Sequence, residues 1–167
     1  MLIGIFSDTH DHLDNIRRAV AFFNERECKY VLFAGDLVST FAIPPLRQLK
    51  CPLIGCYGDN EGNRIGIQGG MRIIGQISDA PVQTVLDDGT RVVIAHMPRQ
   101  LRAVTEPFDV AIHGHTHKPS IRTDDAGRLI INPGETSGWT YGNPTVALLE
   151  TSSRQAEIIP LLTPTSD

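Results

Sequence analysis

Three aspartates and four histidines, Asp8, His10, Asp36, Asp59, His96, His115 and His117, fall just beyond short apolar runs. The runs at 2–6, 30–34, 52–57, 91–95 and 110–113 lead into Ser7-Asp8-Thr9-His10, Gly35-Asp36, Gly58-Asp59-Asn60-Glu61, His96 and Gly114-His115-Thr116-His117. Each piece alone has a plainer reading. An Asp after a strand is commonly a turn former or helix cap, and a lone His is commonly a satisfied core or surface residue. Five such strand ends read together argue for a metal site, because ligands of open α/β sheets gather outside the carboxyl ends of strands. Neutral imidazoles with carboxylates and no cysteine suit first-row ions such as Mn²⁺, Fe²⁺, Co²⁺, Ni²⁺ or Zn²⁺ better than an all-oxygen Mg²⁺ or Ca²⁺ cage. Seven ligand-type side chains exceed the needs of one tetrahedral ion. Two ions sharing a bridging carboxylate, about 3.5–4 Å apart, use them economically and clamp a phosphate for in-line attack. The chemistry indicated is phosphoester hydrolysis.

The elements that must deliver these residues follow from the apolar patterning. Runs 2–6, 30–34 and 52–57 read as strands separated by helical segments, a β-α-β-α-β order that predicts parallel pairing. Ile16, Ala19, Val20 and Phe23 fall on one helical face, with Asp14 the expected N-cap. Segment 43–49 opens on Pro44-Pro45, acceptable in a first helical turn. Further on, 82–86 and 91–95 flank Asp87-Asp88-Gly89-Thr90, a hairpin signal because Asp-Gly tolerates positive φ. A short helix at 99–105, a strand at 110–113, a hairpin around 124–127 leading into 129–131, and a closing pair at 145–150 and 156–161 complete the pattern. The glycine-rich stretch 61–76 has no clear periodicity. A mixed pair of sheets between helices fits best.

With 167 residues, 41% hydrophobic and 20% charged, the chain has the content of a single domain spanning 1–162, with 163–167 a frayed tail. A net charge of -4 and no basic run longer than Arg17-Arg18 disfavour a standing nucleic-acid partner. No apolar stretch approaches the roughly 20 residues that cross a bilayer, and Asp8, His10 and Asp11 interrupt the N-terminus before any signal-like core. Cys28, Cys51 and Cys56 form no CxxC pair and suit reduced thiols filling a core, so a cytoplasmic location is expected. Trp139, Tyr141 and Pro144 are candidates for a substrate or homo-oligomer surface, beside the plainer reading of hairpin packing.

The ordered motifs resemble the metallophosphoesterase (calcineurin-like phosphoesterase) superfamily, in its small YfcE/MJ0936-type phosphodiesterase branch. Ser7-Asp8-Thr9-His10 is similar to the opening DxH motif, Gly35-Asp36 to GD, Gly58-Asp59-Asn60-Glu61-Gly62 to GNxDG, His96 to the lone His, and Gly114-His115-Thr116-His117 to GHTH. Asn132-Pro133-Gly134-Glu135 resembles the late turn of the family. The resemblance implies a four-layer αββα sandwich, two mixed β-sheets flanked by helices, and a dinuclear centre. One divalent ion, Mn²⁺ foremost, would take Asp8, His10, Asp36 and His117; the other would take Asp36, Asp59, His96 and His115, with Asp36 bridging and a metal-bridging hydroxide as nucleophile. The implied substrate is a small phosphoester. The alternative is a weak or inactive member of the fold serving as an interaction scaffold, and retention of ligand-capable side chains at every motif weighs toward catalysis.

Two departures carry expectations. Asp59 stands where the family has Asn, which removes one positive charge from the site and weakens its pull on a phosphate dianion; a second register would put Asn60 at the ligand position instead. Met97-Pro98 follows His96 where relatives carry Gly-His, leaving Arg99 as a candidate phosphate contact. Asn60 also occupies a place where efficient members carry a proton-donating His, so diesters with good leaving groups are the expected substrates.

Overall fold

The computed structural model describes residues 1–161, so the expected frayed tail and the last residue of the expected domain lie outside the described residues. Four parallel strands, β1 (Leu2–Phe6), β2 (Tyr30–Phe33), β3 (Leu53–Cys56) and β4 (Gly75–Ser78), form most of one sheet. It is completed by antiparallel β10 (Thr145–Glu150) and β11 (Gln155–Pro160), in the order β11-β10-β1-β2-β3-β4. The second sheet runs β5-β6-β7-β9-β8, from β5 (Val82–Val85), β6 (Arg91–Ile94), β7 (Val110–Ile112), β8 (Ser120–Thr123) and β9 (Leu129–Asn132). Within it β6, β7 and β9 are parallel and the outer strands antiparallel. Both sheets are therefore mixed.

The strands alternate their side chains between two cores, as a pleat must. Ile3, Ile5, Leu32, Ile54, Val92, Ile94 and Ile112 fill the layer between the sheets. On the other face of the six-stranded sheet, Phe6, Val31 and Phe33 meet the helices α1 (Leu13–Glu25), α2 (Ile43–Leu46) and α3 (Arg64–Met71). The face of α1 that packs there is Ile16, Ala19, Val20 and Phe23, the spacing of an amphipathic helix. The outer face of the second sheet carries a thinner cover: the 3-10 turn Pro98–Ala103, with Leu101 against Val93, Phe108, Ala111 and Ile130.

Three local details differ from expectation. The N-cap of α1 is His12, whose Nδ1 accepts from the Asn15 amide at 3.3 Å, while Asp14 lies in the first turn. There it favours the positive end of the helix dipole and pairs with Arg17. Segment 61–76 forms α3 and β4: its glycines lower helix propensity, and burial of Ile67 and Met71 supplies the missing stability. The expected helix at 99–105 is the 3-10 turn, capped by Gln100, whose Oε1 accepts from the His96 and Met97 amides. No helix among the described residues is long and apolar enough to cross a membrane.

Candidate metal centre

Because β1, β2 and β3 are parallel neighbours, the loops that follow them emerge at one edge, and those after parallel β6 and β7 emerge beside them. Backbone hydrogen bonds stitch the loops together. The Asp8 amide donates to the Gly35 carbonyl (2.9 Å), the Thr9 and His10 amides to that of Asp36 (3.0 and 3.1 Å), and the Gly114 amide to that of His96 (3.0 Å). Two of the turns leave no room for a side chain. A Cβ on Gly58 would lie 2.1 Å from Asp36 Oδ1, and one on Gly114 would lie 2.0 Å from Ser7 Oγ and 2.5 Å from Asp8 Oδ2. Five of the seven candidates, Asp8, His10, Asp36, His115 and His117, adopt left-handed backbone with φ between 42° and 66°. Asp and His tolerate that region better than most residues, yet it costs of order 1 kcal/mol each, and such strain gathers at functional sites.

All seven converge. Asp8, His10 and His117 present ligand atoms within 4.8 Å of one another, as do Asp59, His96 and His115, and Asp8, Asp36 and His96. Asp36 Oδ2 sits between the groups, 3.6 Å from His10 Nε2 and 3.4 Å from His96 Nε2. Of the two registers open in the sequence, the geometry brings Asp59 to the histidines: its Oδ1 lies 2.7 Å from His96 Nε2 and 3.3 Å from His115 Nδ1. Asn60 turns the other way and holds Asp36, its Nδ2 donating to Oδ2 at 2.8 Å and its amide to Oδ1 at 3.0 Å.

The protonation pattern suits cations. Nδ1 of His96 lies 2.7 Å from the Ala34 carbonyl, which can only accept, so Nδ1 carries the proton and Nε2 the lone pair. That Nε2 is buried and makes no hydrogen bond, although Asp59 Oδ1 is close by. On the other side, Nδ1 of His117 lies 2.8 Å from Glu135 Oε2, which leaves its Nε2 facing His10 Nε2 at 3.3 Å. The lone pairs of His96 Nε2 and His117 Nε2 face the Asp36, Asp59 and Asp8 carboxylates at 2.7–3.4 Å, an arrangement that calls for a cation between them. Without metal, protons answer that need. Burial disfavours charge on His96, but Asp36 and Asp8 outweigh it and raise the imidazole to about 9. Asp8, opposed by burial and joined by Glu135, raises His117 to about 9. Burial pushes Asp36 upward, yet His96 and Asn60 hold it well below the ordinary carboxylate range. The donor set therefore fits divalent first-row ions.

Other residues support the cluster from behind, in contacts that the motifs alone do not assign. Glu135, fully buried, accepts from His117, from the Thr140 and Tyr141 amides and from the Ser137 hydroxyl. Burial raises its pKa, but those amides and His117 bring it below the usual value. Asn132 ties the Gly114 carbonyl and Thr116 to the turn carrying Glu135. Ser7 Oγ donates to Asp8 Oδ2 at 2.6 Å, and Glu61 accepts from the Leu37 and Gly58 amides. For Asn132 and Glu135 the signal in the sequence is the Asn132-Pro133-Gly134-Glu135 turn, while Ser7, Glu61 and Thr116 sit inside the motifs that carry Asp8, Asp59 and His115. His113, despite its place in the histidine run, points away into the interior, its Nδ1 near the Gly114 carbonyl and Asn132; burial lowers its pKa. Arg99 is exposed on the 3-10 turn, and among the described residues no hydrogen bond joins it to the cluster. A concavity of about 580 Å³ lies at the opposite end of the sheet, beside Leu2, Tyr30 and Asp87, and includes none of the seven residues.

Residues 1–154 match the model of the calcineurin-like phosphoesterase superfamily domain. The chain is 37% identical over 162 residues to phosphodiesterase MJ0936 of Methanocaldococcus jannaschii, covering 93% of this chain and 96% of that protein. It is 31% identical over 167 residues to a probable metallophosphoesterase of Methanothermobacter thermautotrophicus, covering 95% and 92% respectively. The solved structure of an archaeal phosphodiesterase superposes with a TM-score of 0.88 at 35% identity, over 96% of this chain and 99% of the other.

Proposed function

Because the chain belongs to the calcineurin-like phosphoesterase superfamily, we propose that it is a metal-dependent phosphodiesterase whose seven convergent Asp and His residues hold two divalent ions. Asp8, His10 and His117 would take one, Asp59, His96 and His115 the other, with Asp36 shared, as its position between His10 and His96 supports. When bound, the ions supply Lewis acidity and a nucleophilic hydroxide near neutral pH. The protein's own share is positional. Ala34 and Glu135 fix the tautomers of His96 and His117, Asn60 orients Asp36, and the stitched loops hold all of them at one sheet edge. The observation that carries the reading is the buried, unpartnered Nε2 of His96 aimed at Asp59. Three carboxylates in the set reduce the positive charge that a second phosphate charge would need, which favours diester monoanions over monoester dianions. Mn²⁺ is the first ion to try. A cytoplasmic setting belongs to the same reading, since all three cysteines are free thiols.

The test is hydrolysis of bis-p-nitrophenyl phosphate and p-nitrophenyl phosphate by protein reconstituted with Mn²⁺, Ni²⁺, Co²⁺, Fe²⁺ or Zn²⁺, with His96→Ala alongside. Diester cleavage that needs metal and is lost in the variant supports the proposal. Stoichiometric metal without cleavage of either ester would instead favour the interaction-scaffold reading.

A further inference from the structure

Trp139 and Tyr141 have no part in the cluster as described, yet they stand at its margin. Both are large and apolar, and both are exposed, at 63% and 54%, an arrangement that marks binding surfaces. They lie on the loop whose 140 and 141 amides are held by Glu135, the same carboxylate that holds His117. Trp139 is fixed in place. Its Nε1–H donates to the His10 carbonyl at 3.3 Å, and its ring packs on the His12 imidazole with centroids 4.6 Å apart and planes 35° apart. The imidazole thus backs the indole, and most of Trp139 stays open to solvent. Lys118, which follows His117 in the chain, places Nζ 5.6 Å from the centroid of the Tyr141 ring. An exposed aromatic ring anchored to the backbone of His10, with the Lys118 ammonium over Tyr141 two residues along the same loop, complements a planar ring attached to an anionic phosphate.

We propose that Trp139, with Tyr141 and Lys118 beside it, is a specificity-determining platform on which a planar aromatic ester group of the phosphodiester substrate stacks. The ring would be a simple aryl group or a nucleobase. The proposal rests on the phosphodiesterase reading for its substrate, but it has an independent readout, because Trp139 is the sole tryptophan of the chain. Its fluorescence in Zn²⁺-loaded protein reports on this ring alone.

Two ligand pairs separate the sources of the ring: phenylphosphonate against methylphosphonate, and adenosine 5′-monophosphate against ribose 5-phosphate. In at least one pair the aromatic member is expected to quench Trp139 at about tenfold lower concentration than its partner, the scale of one base-aromatic stack. Discrimination in the first pair only identifies an aryl group, and in the second only a nucleobase; equal quenching within both pairs overturns the proposal. In turnover, the ratio of kcat/KM for bis-p-nitrophenyl phosphate to that for methyl p-nitrophenyl phosphate should fall about tenfold in Trp139→Ala and recover in Trp139→Phe. The two esters share a leaving group and differ in the ring that is retained, so equal losses on both also overturn it. If the wild type cleaves neither ester, the phosphodiesterase reading fails, and the quenching pairs alone decide whether the platform exists.

Discussion

Replacing Glu135 with Gln preserves volume and removes one charge, and the surroundings of this side chain make the outcome calculable. Its Oε1 receives the Tyr141 amide at 2.6 Å, and its Oε2 receives His117 Nδ1 at 2.8 Å and the Thr140 amide at 2.9 Å. The two backbone N–H groups can only donate, so either orientation of an amide NH₂ opposes one of them, that of Tyr141 at Oε1 or that of Thr140 at Oε2. Placed at Oε1 it opposes the Tyr141 N–H, leaving two buried donors unpaired at a cost of about 1–3 kcal/mol. Placed at Oε2 it takes the Glu135 acceptor away from His117 Nδ1 and leaves only the Thr140 hydroxyl, 2.9 Å away, to hold the ring in the tautomer that frees Nε2 for metal. Either path should weaken binding at the Asp8, His10 and His117 group by about 10–100-fold, the usual scale for losing a residue that orients a ligand. Isothermal titration of metal-free Glu135→Gln with Mn²⁺ at neutral pH measures this, with thermal unfolding as a check on the fold. The pH matters: the Glu135 pKa is lowered on folding, so its stabilising effect is present above the ordinary carboxylate range and fades as pH falls through the depressed value. A folded variant that binds both ions as tightly as the wild type would refute the reasoning.

Asp59→Asn removes one negative charge from the cluster, and the pH at which diester hydrolysis rises should move downward in a pH–rate profile; an unchanged profile rules the charge argument out. Asp109 is paired by both oxygens with Arg91 and also by Arg154, and its carboxyl is lowered to about 2, chiefly by Arg91. Its contribution is therefore complete above the unfolded value near 4 and lost as pH falls toward 2, so Asp109→Asn should be about 1 kcal/mol less stable at pH 7 and converge with wild type at the acid end of a denaturation series. Burial pushes the Cys28 thiol up to about 12 and raises Cys51 and Cys56 as well. In a neutral thiol-disulfide assay the native protein should react slowly, with all three groups titrating rapidly only after denaturation.

The parts of this molecule written into the sequence are those whose signal is local. Strands 2–6 and 145–150 coincide with their apolar runs, and the convergence of the candidate ligands follows because a residue just past a parallel strand has only one edge to occupy. Helix α3 was illegible because Gly66, Gly69 and Gly70 hide a two-residue apolar anchor that only tertiary packing validates. Glu135 was legible as a turn and not as a partner of His117, since the contact joins residues 18 positions apart that meet only after β8 and β9 pair. Which of Asp59 and Asn60 lies beside the histidines turns on a one-residue register that composition does not encode. His12 displaced Asp14 as the helix cap for a related reason: an imidazole nitrogen serves where a carboxylate was the ordinary expectation.

The candidate ligands divide between the two sheets: Asp8, His10, Asp36 and Asp59 follow strands of the six-stranded sheet, His96, His115 and His117 strands of the five-stranded one. Ions held among them would act as rivets through the sandwich, closing loops that span most of the chain, from residue 8 to residue 117. An unfolded chain joined in that way has far fewer conformations to recover, and the left-handed ligand backbones would be held by the same bonds. Loss of metal would then loosen one sheet against the other as well as emptying the reaction centre, so the durability of this enzyme in a cell would follow its metal supply.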